Sequence, residues 1–150
     1  MSPAGYSNTP LWKKLVVRPG ERLLLIDAPA GWSVPDLPDG VRATREASAS
    51  RAATPAETIV AFYADLAALN RGIPALAPRI FPAGGIWAAW PRRAGGHDSD
   101  IRDEDVRALA LPLGLVDVKV AAIDEDWSGL RLVWRRELRD AGRAPAPRSS

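Results

Sequence analysis

The chain contains no cysteine, one histidine and one methionine among its 150 residues. Without cysteine there is no disulfide, no thiolate metal ligand and no thiol nucleophile, a composition that suits a reducing compartment. The lone His97 sits in a glycine-flanked loop beside Asp98, with no second histidine to complete a zinc-type site. No serine lies in a G-x-S-x-G elbow, so a hydrolase triad built on that histidine lacks its nucleophile. Asp98, Asp100, Asp103 and Asp105 alternate, but the glycine and closing glutamate of a calcium loop are missing. No metal site is expected. Long apolar runs are absent as well: nothing approaches the roughly 18 uninterrupted apolar residues of a membrane span. No basic segment leads into an apolar one at the start, and a cytoplasmic location is expected. Charge of one sign is also scarce. The net charge is +2, and apart from Lys13-Lys14, Arg92-Arg93 and Arg135-Arg136 the basic residues are dispersed. A nucleic-acid surface would concentrate them on one element, so nucleic acid is not an expected partner.

What is present is an ordinary globular composition, 47% hydrophobic and 25% charged, enough for one core. Thr9-Pro10 reads as N-cap and first-turn proline of a short helix through Leu15, with Leu11, Trp12 and Leu15 on one side. After the Arg18-Pro19-Gly20 turn, residues 22–26 (RLLLI) form a continuous apolar run, the pattern of a strand covered on both faces. Two prolines between 33 and 40 prevent a long helix in the next connection. Residues 41–47 make a weak second strand, 48–54 an Ala-rich connector, and 58–64 (TIVAFYA) a third strand, β-branched and aromatic. From Asp65 onward, Leu66, Leu69, Ile73, Leu76 and Ile80 recur at helical spacing. Asp65 can cap that helix, and Gly72 and Pro74 are expected to split it in two.

A Pro-x-Gly-Gly turn then enters a fourth strand, 86–90 (IWAAW), which leaves abruptly into Pro91-Arg92-Arg93. Asp103-Glu104-Asp105 opens a further helix, with acids where the helix dipole favours them. Residues 115–123 and 130–135 are read as an antiparallel pair joined by a long turn over 124–129. Residues 140–150 are expected to be a disordered tail, leaving 1–139 as a single domain. Apolar strands alternating with helices predict a three-layer, Rossmann-like α/β fold. Its sheet is mostly parallel, about six strands, closed by the C-terminal hairpin. Right-handed crossovers send the loops after the first, third and fourth strands to the C-terminal edge, where open α/β sheets bind ligands. The candidate site is therefore Asp27, Gly31, Trp32, Trp90, Arg92, Arg93, Asp124 and Trp127. An arginine pair beside aromatics suits an anionic small molecule or a protein interface. Pairing of those arginines with the acidic 124–126 turn is the alternative. Lys119, interrupting an apolar strand, reads as a sheet-edge lysine.

Strand, helix, Pro-x-Gly-Gly strand, helix and closing hairpin, over roughly 58–135, resemble the second half of class I methyltransferases. That resemblance implies an S-adenosylmethionine loop after the first strand and a ribose-binding acid after the second. The loop here is Ala28-Pro29-Ala30-Gly31, one glycine and a rigid proline where backbone must approach a cofactor closely. Glu46 could stand in for the acid. The string Gly5-Tyr6-Ser7-Asn8-Thr9-Pro10-Leu11, with Lys13-Lys14-Leu15, Trp90-Pro91, Asp103-Glu104-Asp105-Val106, Leu113-Gly114-Leu115-Val116-Asp117 and Ile123-Asp124-Glu125, Trp127-Ser128-Gly129-Leu130-Arg131, is similar to another family. This is the 3052 family, small bacterial and mainly actinobacterial proteins known as a domain of unknown function. It implies the fold and no catalytic residues. The 48–54 connector and Trp12 depart from its pattern.

Two functions are compatible with these residues. One is a non-catalytic binding or interaction module working at the C-terminal sheet edge, with no assigned cofactor and no catalytic residue. The other is a minimal transferase that retains S-adenosylmethionine or a nucleotide-type ligand. The transferase needs a ligand-sized hollow between the Asp27 loop and the exit of the Trp90 strand. Trp32 or Pro29 filling that space would exclude it.

Overall fold

The computed structural model describes residues 9–48 and 54–140. The first eight residues, most of the 48–54 connector and the 141–150 segment expected to be a tail lie outside them. Six strands form one sheet in the order β2-β1-β3-β4-β6-β5. They are β1 (Arg22–Ile26), β2 (Arg42–Glu46), β3 (Thr58–Phe62), β4 (Gly85–Pro91), β5 (Leu115–Ala122) and β6 (Trp127–Trp134). The first four run parallel, and β6 lies antiparallel between β4 and β5. The fold class is the expected one, a mostly parallel Rossmann-like sheet closed by an antiparallel hairpin. From β1 the chain moves outward to β2 and then returns to the other side for β3. The strand order reverses between β1 and β3, which is where such sheets open a crevice.

Continuous apolar runs become central strands because alternate side chains feed two separate cores. Leu24, Ile26, Ile59, Ala61, Ile86, Ala88 and Leu130 face one layer. That layer is helix α2 (Leu66–Leu76), a 3-10 turn at Ala77–Ile80, and helices α3 (Asp103–Leu113) and α4 (Arg136–Asp140). Leu23, Leu25, Val60, Phe62, Trp87 and Ala89 face the other, formed by helix α1 (Leu11–Lys14) and the irregular 27–41 connection. The fully buried Trp87 ties the two ends of this second layer to the sheet. Its indole N–H donates to the Leu15 carbonyl at 3.0 Å, and its ring lies over Gly129, where a Cβ would meet it at 3.0 Å.

Several boundaries differ from expectation, each for a local reason. Lys13 and Lys14 N–H groups both reach the Pro10 carbonyl, so Pro10 caps α1 rather than Thr9. Helix α2 is not split: Gly72 and Pro74 both lie inside it. Pro74 falls in the last turn, and the carbonyl it leaves without a helical donor belongs to exposed Asn70, within reach of water. Asp65 is the N-cap, accepting from Ala68 N at 2.8 Å, as its position suggested. The closing hairpin has a short turn, because β6 begins at Trp127 and includes Gly129. Helix α4 was not anticipated; its Leu138 packs against the main core.

Candidate functional site

Strand β5 runs parallel to β4, both being antiparallel to β6, so the hairpin turn reaches the C-terminal edge beside the loops after β1, β3 and β4. Arg92 N donates to the Asp126 carbonyl at 2.8 Å, and His97 Nε2 meets Asp126 Oδ1 at 2.8 Å. The edge is thus stitched across from the β4 exit to the hairpin.

On the α1 side of the sheet, the 27–32 loop delivers Trp32 across the crevice. A tight turn, Trp32 N to the Pro29 carbonyl at 3.0 Å, aims the indole inward, with Gly31 at its tip in the left-handed region (φ 77°). Trp32 Nε1 donates to Asp124 Oδ2 at 2.9 Å. Asp124 Oδ1 accepts from the N–H groups of Asp126 and Trp127 at 2.8 and 2.9 Å, so the same carboxylate shapes the hairpin turn. Phe62, the last residue of β3, lies between two indoles. Trp32 meets it edge-on at 4.8 Å and Trp127 at 5.0 Å, arrangements that aromatic quadrupoles favour. Arg45 clasps the loop from β2, its guanidinium donating to the carbonyls of Ala28, Pro29 and Trp32.

Gly31, Trp32, Asp124 and Trp127 therefore come together, and Asp27 adjoins them. Asp27 has φ 53°, a left-handed conformation that aspartate tolerates. Its Oδ1 accepts from Ser48 N at 2.9 Å, tying it to the end of β2. Trp90 does not join the group. Strand alternation turns it to the opposite face, into the α2–α3 core, where it is 8% exposed. Arg92 and Arg93 stand apart at the β4 exit. Neither guanidinium pairs with the acidic turn among the described residues; Asp126 engages His97, and Arg93 Nη2 donates to the Ser99 carbonyl at 3.1 Å. A shallow depression there is lined by Asp65, Arg93, His97, Asp98 and Asp100, a rim of mixed sign. Lys119 is exposed on the edge strand β5, its ammonium directed to the Lys14 carbonyl. Among the described residues no group of three or more His, Asp or Glu is placed to hold a metal ion.

The structure also fixes Glu46, which the sequence left unplaced. It ends β2, where the methyltransferase resemblance puts a ribose-binding acid, but both its oxygens accept from Arg79 Nη1 and Nη2 at 3.0 Å. Arg79 is 8% exposed and donates its Nε–H to the Thr54 carbonyl at 2.9 Å. Sequence reasoning missed Arg79, Tyr63 and Arg45. Arg79 was findable, since it falls three residues after Leu76 on the buried phase of the Ile73–Ile80 pattern. A charged residue in that phase calls for a buried partner.

This strand order, with the parallel half followed by a β6 inserted antiparallel between β4 and β5, is the methyltransferase-type Rossmann fold. Among solved structures, the chain is similar to a Thermoplasma acidophilum protein assigned as a methyltransferase. Their TM-score is 0.50 at 9% identity, covering 80% of this chain and 70% of that one. It is also similar to LepI in complex with SAH and a substrate analogue (TM-score 0.48, 14% identity, 83% of this chain) and to LepI with SAM (0.44, 15%, 83%). The chain spans 39% of LepI. No family model matches the chain, and no curated protein matches it in sequence.

Proposed function

We propose that this protein is a non-catalytic, methyltransferase-like module that engages a protein partner through the C-terminal edge of its sheet. The observation that carries this reading is the seating of Trp32 across the crevice, edge-on to Phe62 and bonded to Asp124. An indole in that position fills the crevice on the α1 face of the sheet. The loop behind it presents carbonyls, already held by Arg45, in place of the free N–H groups that a glycine-rich turn offers an anionic ligand. At the β4 exit, the Arg92 and Arg93 guanidinium groups make no ion pair with the hairpin acids among the described residues, while Asp65, Asp98 and Asp100 surround the neighbouring depression. A rim of both signs suits a protein surface better than a small anion, which the carboxylates would repel. On the same footing we place the chain with the 3052 family of small bacterial proteins, on the segments quoted above, and in the cytoplasm.

Glu46 supports a second reading, a minimal S-adenosylmethionine- or nucleotide-binding transferase, because it ends β2 where the resemblance puts the ribose acid. Its bidentate pairing with Arg79 weighs against it. Thermal shift with millimolar S-adenosylmethionine, S-adenosylhomocysteine and ATP separates the two. The module shows no change in melting temperature with any of them; a saturable rise with one would overturn it in favour of the transferase. The edge itself is tested with Arg92→Ala plus Arg93→Ala. Partner capture by the tagged protein is expected to be lost at unchanged melting temperature, and capture equal to wild type refutes the edge assignment.

A further inference from the structure

On the α2 face of the C-terminal edge, a cavity of about 360 Å³ opens beside Asp27, Glu46, Tyr63 and Arg71, and it belongs to the transferase alternative above. Its α2 wall is built from Ala68, Gly72 and Ala75, and Tyr63 lies against Gly72, where a Cβ would collide with the phenol. The N-terminal end of the sheet, on the α1 face, carries a cluster of charge that neither function uses.

Arg131 is its centre. It stands opposite Trp87 in the β4–β6 register, so its side chain takes the α1 face. From there the guanidinium extends along β4 onto Gly85, the last glycine of the Pro-x-Gly-Gly turn. A Cβ on Gly85 would come within 2.6 Å of Nε and 2.7 Å of Cζ and Nη2, so this glycine is the floor on which the guanidinium rests. The fork is positioned but has no acceptor: it makes no hydrogen bond or ion pair with a described residue. Its Nε is shut away from solvent, while the two terminal nitrogens are open to it. Burial, and then the charge of Arg18, push its pKa down, and Glu21 offsets them only in part. Glu21 is itself engaged, accepting from Arg18 N at 2.8 Å. Arg22, at the same end of the sheet, has the ordinary arrangement, a guanidinium paired with Glu57 at 2.7 Å.

Like charge gathers around this unpaired fork. Lys119 of β5 stands directly opposite Arg131 in the β5–β6 register, a placement of two cations that destabilises a sheet. Lys119 Nζ reaches only the Lys14 carbonyl and Lys14 Nζ only the Ala122 carbonyl, each at 3.4 Å, so neither ammonium meets a carboxylate. An acid at position 119 would relieve both the opposition and the fork, and the chain carries a lysine there. An external anion relieves them equally well. From this we infer that the cluster binds a phosphate group of a small soluble ligand, seated between the Arg131 fork and the Lys119 ammonium, with Arg18 at its rim. A guanidinium fork matches paired phosphate oxygens, and three cations around one engaged acid suit the double charge of a phosphate better than a single carboxylate. The site is independent of the C-terminal edge, because Gly85 begins β4 and Arg92 and Arg93 follow its other end.

The test is calorimetric titration of the full chain with pyrophosphate at low salt, against sodium chloride at matched ionic strength. Saturable one-to-one binding of pyrophosphate is expected, with none of chloride. Lys119→Gln, a surface change, is expected to weaken that binding about tenfold, the loss of one charge-assisted contact. Its melting temperature should equal or exceed that of wild type, because the opposition of like charges is gone. Arg131→Met keeps side-chain volume over Gly85 and supplies a signature that a structural arginine would not give. It is expected to abolish binding while raising the melting temperature of the free protein, by removing an unpaired, partly buried charge. Arg92→Ala plus Arg93→Ala should bind pyrophosphate as wild type does, so this site and the C-terminal edge fail separately. The inference is overturned if pyrophosphate binds no better than chloride, if Lys119→Gln and Arg131→Met bind as tightly as wild type, or if loss of Arg92 and Arg93 removes the binding. Stronger association with phosphatidylglycerol vesicles than with pyrophosphate, at equal phosphate, would overturn the soluble ligand in favour of a lipid headgroup.

Discussion

The ends of β1 and β3 are treated in opposite ways on the two faces of the sheet. On the α1 face, Trp32, Phe62 and Trp127 meet edge to face and close the crevice, and Asp124 fixes the closure with one carboxylate. On the α2 face, alanines and a glycine line the wall, the aromatic residue is pressed flat by Gly72, and a cavity remains, rimmed by charge. Both faces share the same strands, register and crossover. What differs is side-chain volume on the elements that approach them. Topology gives this fold a place for a ligand, and the loop and helix residues decide which face keeps it.

That contrast can be broken from either side. The largest effect is expected at Arg79, which props the open face. Arg79→Ala strands the partly buried Glu46 carboxylate and frees the Thr54 carbonyl, a loss of about 3 kcal/mol in urea unfolding. Replacing both Glu46 and Arg79 by methionine should cost much less, since no charge is then left unpaired. An equal loss in the double variant would show that packing, and not the ion pair, holds this face. Trp32→Ala attacks the closed face, removing a partly buried indole and its bond to Asp124, for about 2 kcal/mol. Free indole should restore part of that stability to the variant and none to wild type. Failure of indole to do so would mean that the crevice collapses on losing its plug.

Gly72→Ala is a smaller probe of the open face. Alanine is about 1 kcal/mol better than glycine in a helix, but the collision with Tyr63 costs about 1–3 kcal/mol. A net loss of about 1 kcal/mol is expected, and a net gain would show that Tyr63 is free to swing into the cavity. The least effect concerns neither face. Glu57, at the N-terminal edge, accepts from the Arg22 guanidinium at 2.7 Å and the Arg22 backbone N–H at 2.6 Å, and these bonds hold its carboxyl below the usual glutamate range. A lowered folded-state pKa contributes stability that is complete above the ordinary glutamate value and is lost as pH falls through the lower, folded one. Glu57→Gln should therefore flatten the acid limb of the stability curve while leaving both cavity and crevice unchanged.

The sheet was largely legible in the residues because a strand buried on both faces must be apolar throughout, and β1, β3 and β4 are. The start of β6 was not, since Trp127-Ser128-Gly129 has the composition of a turn. Gly129 belongs in the strand for a reason only packing reveals: Ile123 and Trp87 occupy the space where its Cβ would be. The apparent break in α2 failed similarly, because Gly72 answers to Tyr63 across the sheet edge and not to its own helix. The grouping of Gly31, Trp32, Asp124 and Trp127 could be read from position, as they sit in or beside loops that the topology sends to one edge. Trp90 could not be assigned to a face until the register was known. The charged cavity stayed hidden because its members, Asp27, Tyr63, Arg71 and Arg79, come from four separate elements.

The bond from Trp87 to the Leu15 carbonyl joins positions 72 apart in the chain. On a ribosome, α1 leaves the exit tunnel long before the strand that holds it has been made. A four-residue helix is too short to persist in water alone, so this bond cannot help to hold it until β4 has been made. This contact between α1 and the centre of the sheet can therefore form only after the strands that separate them in the chain have been made.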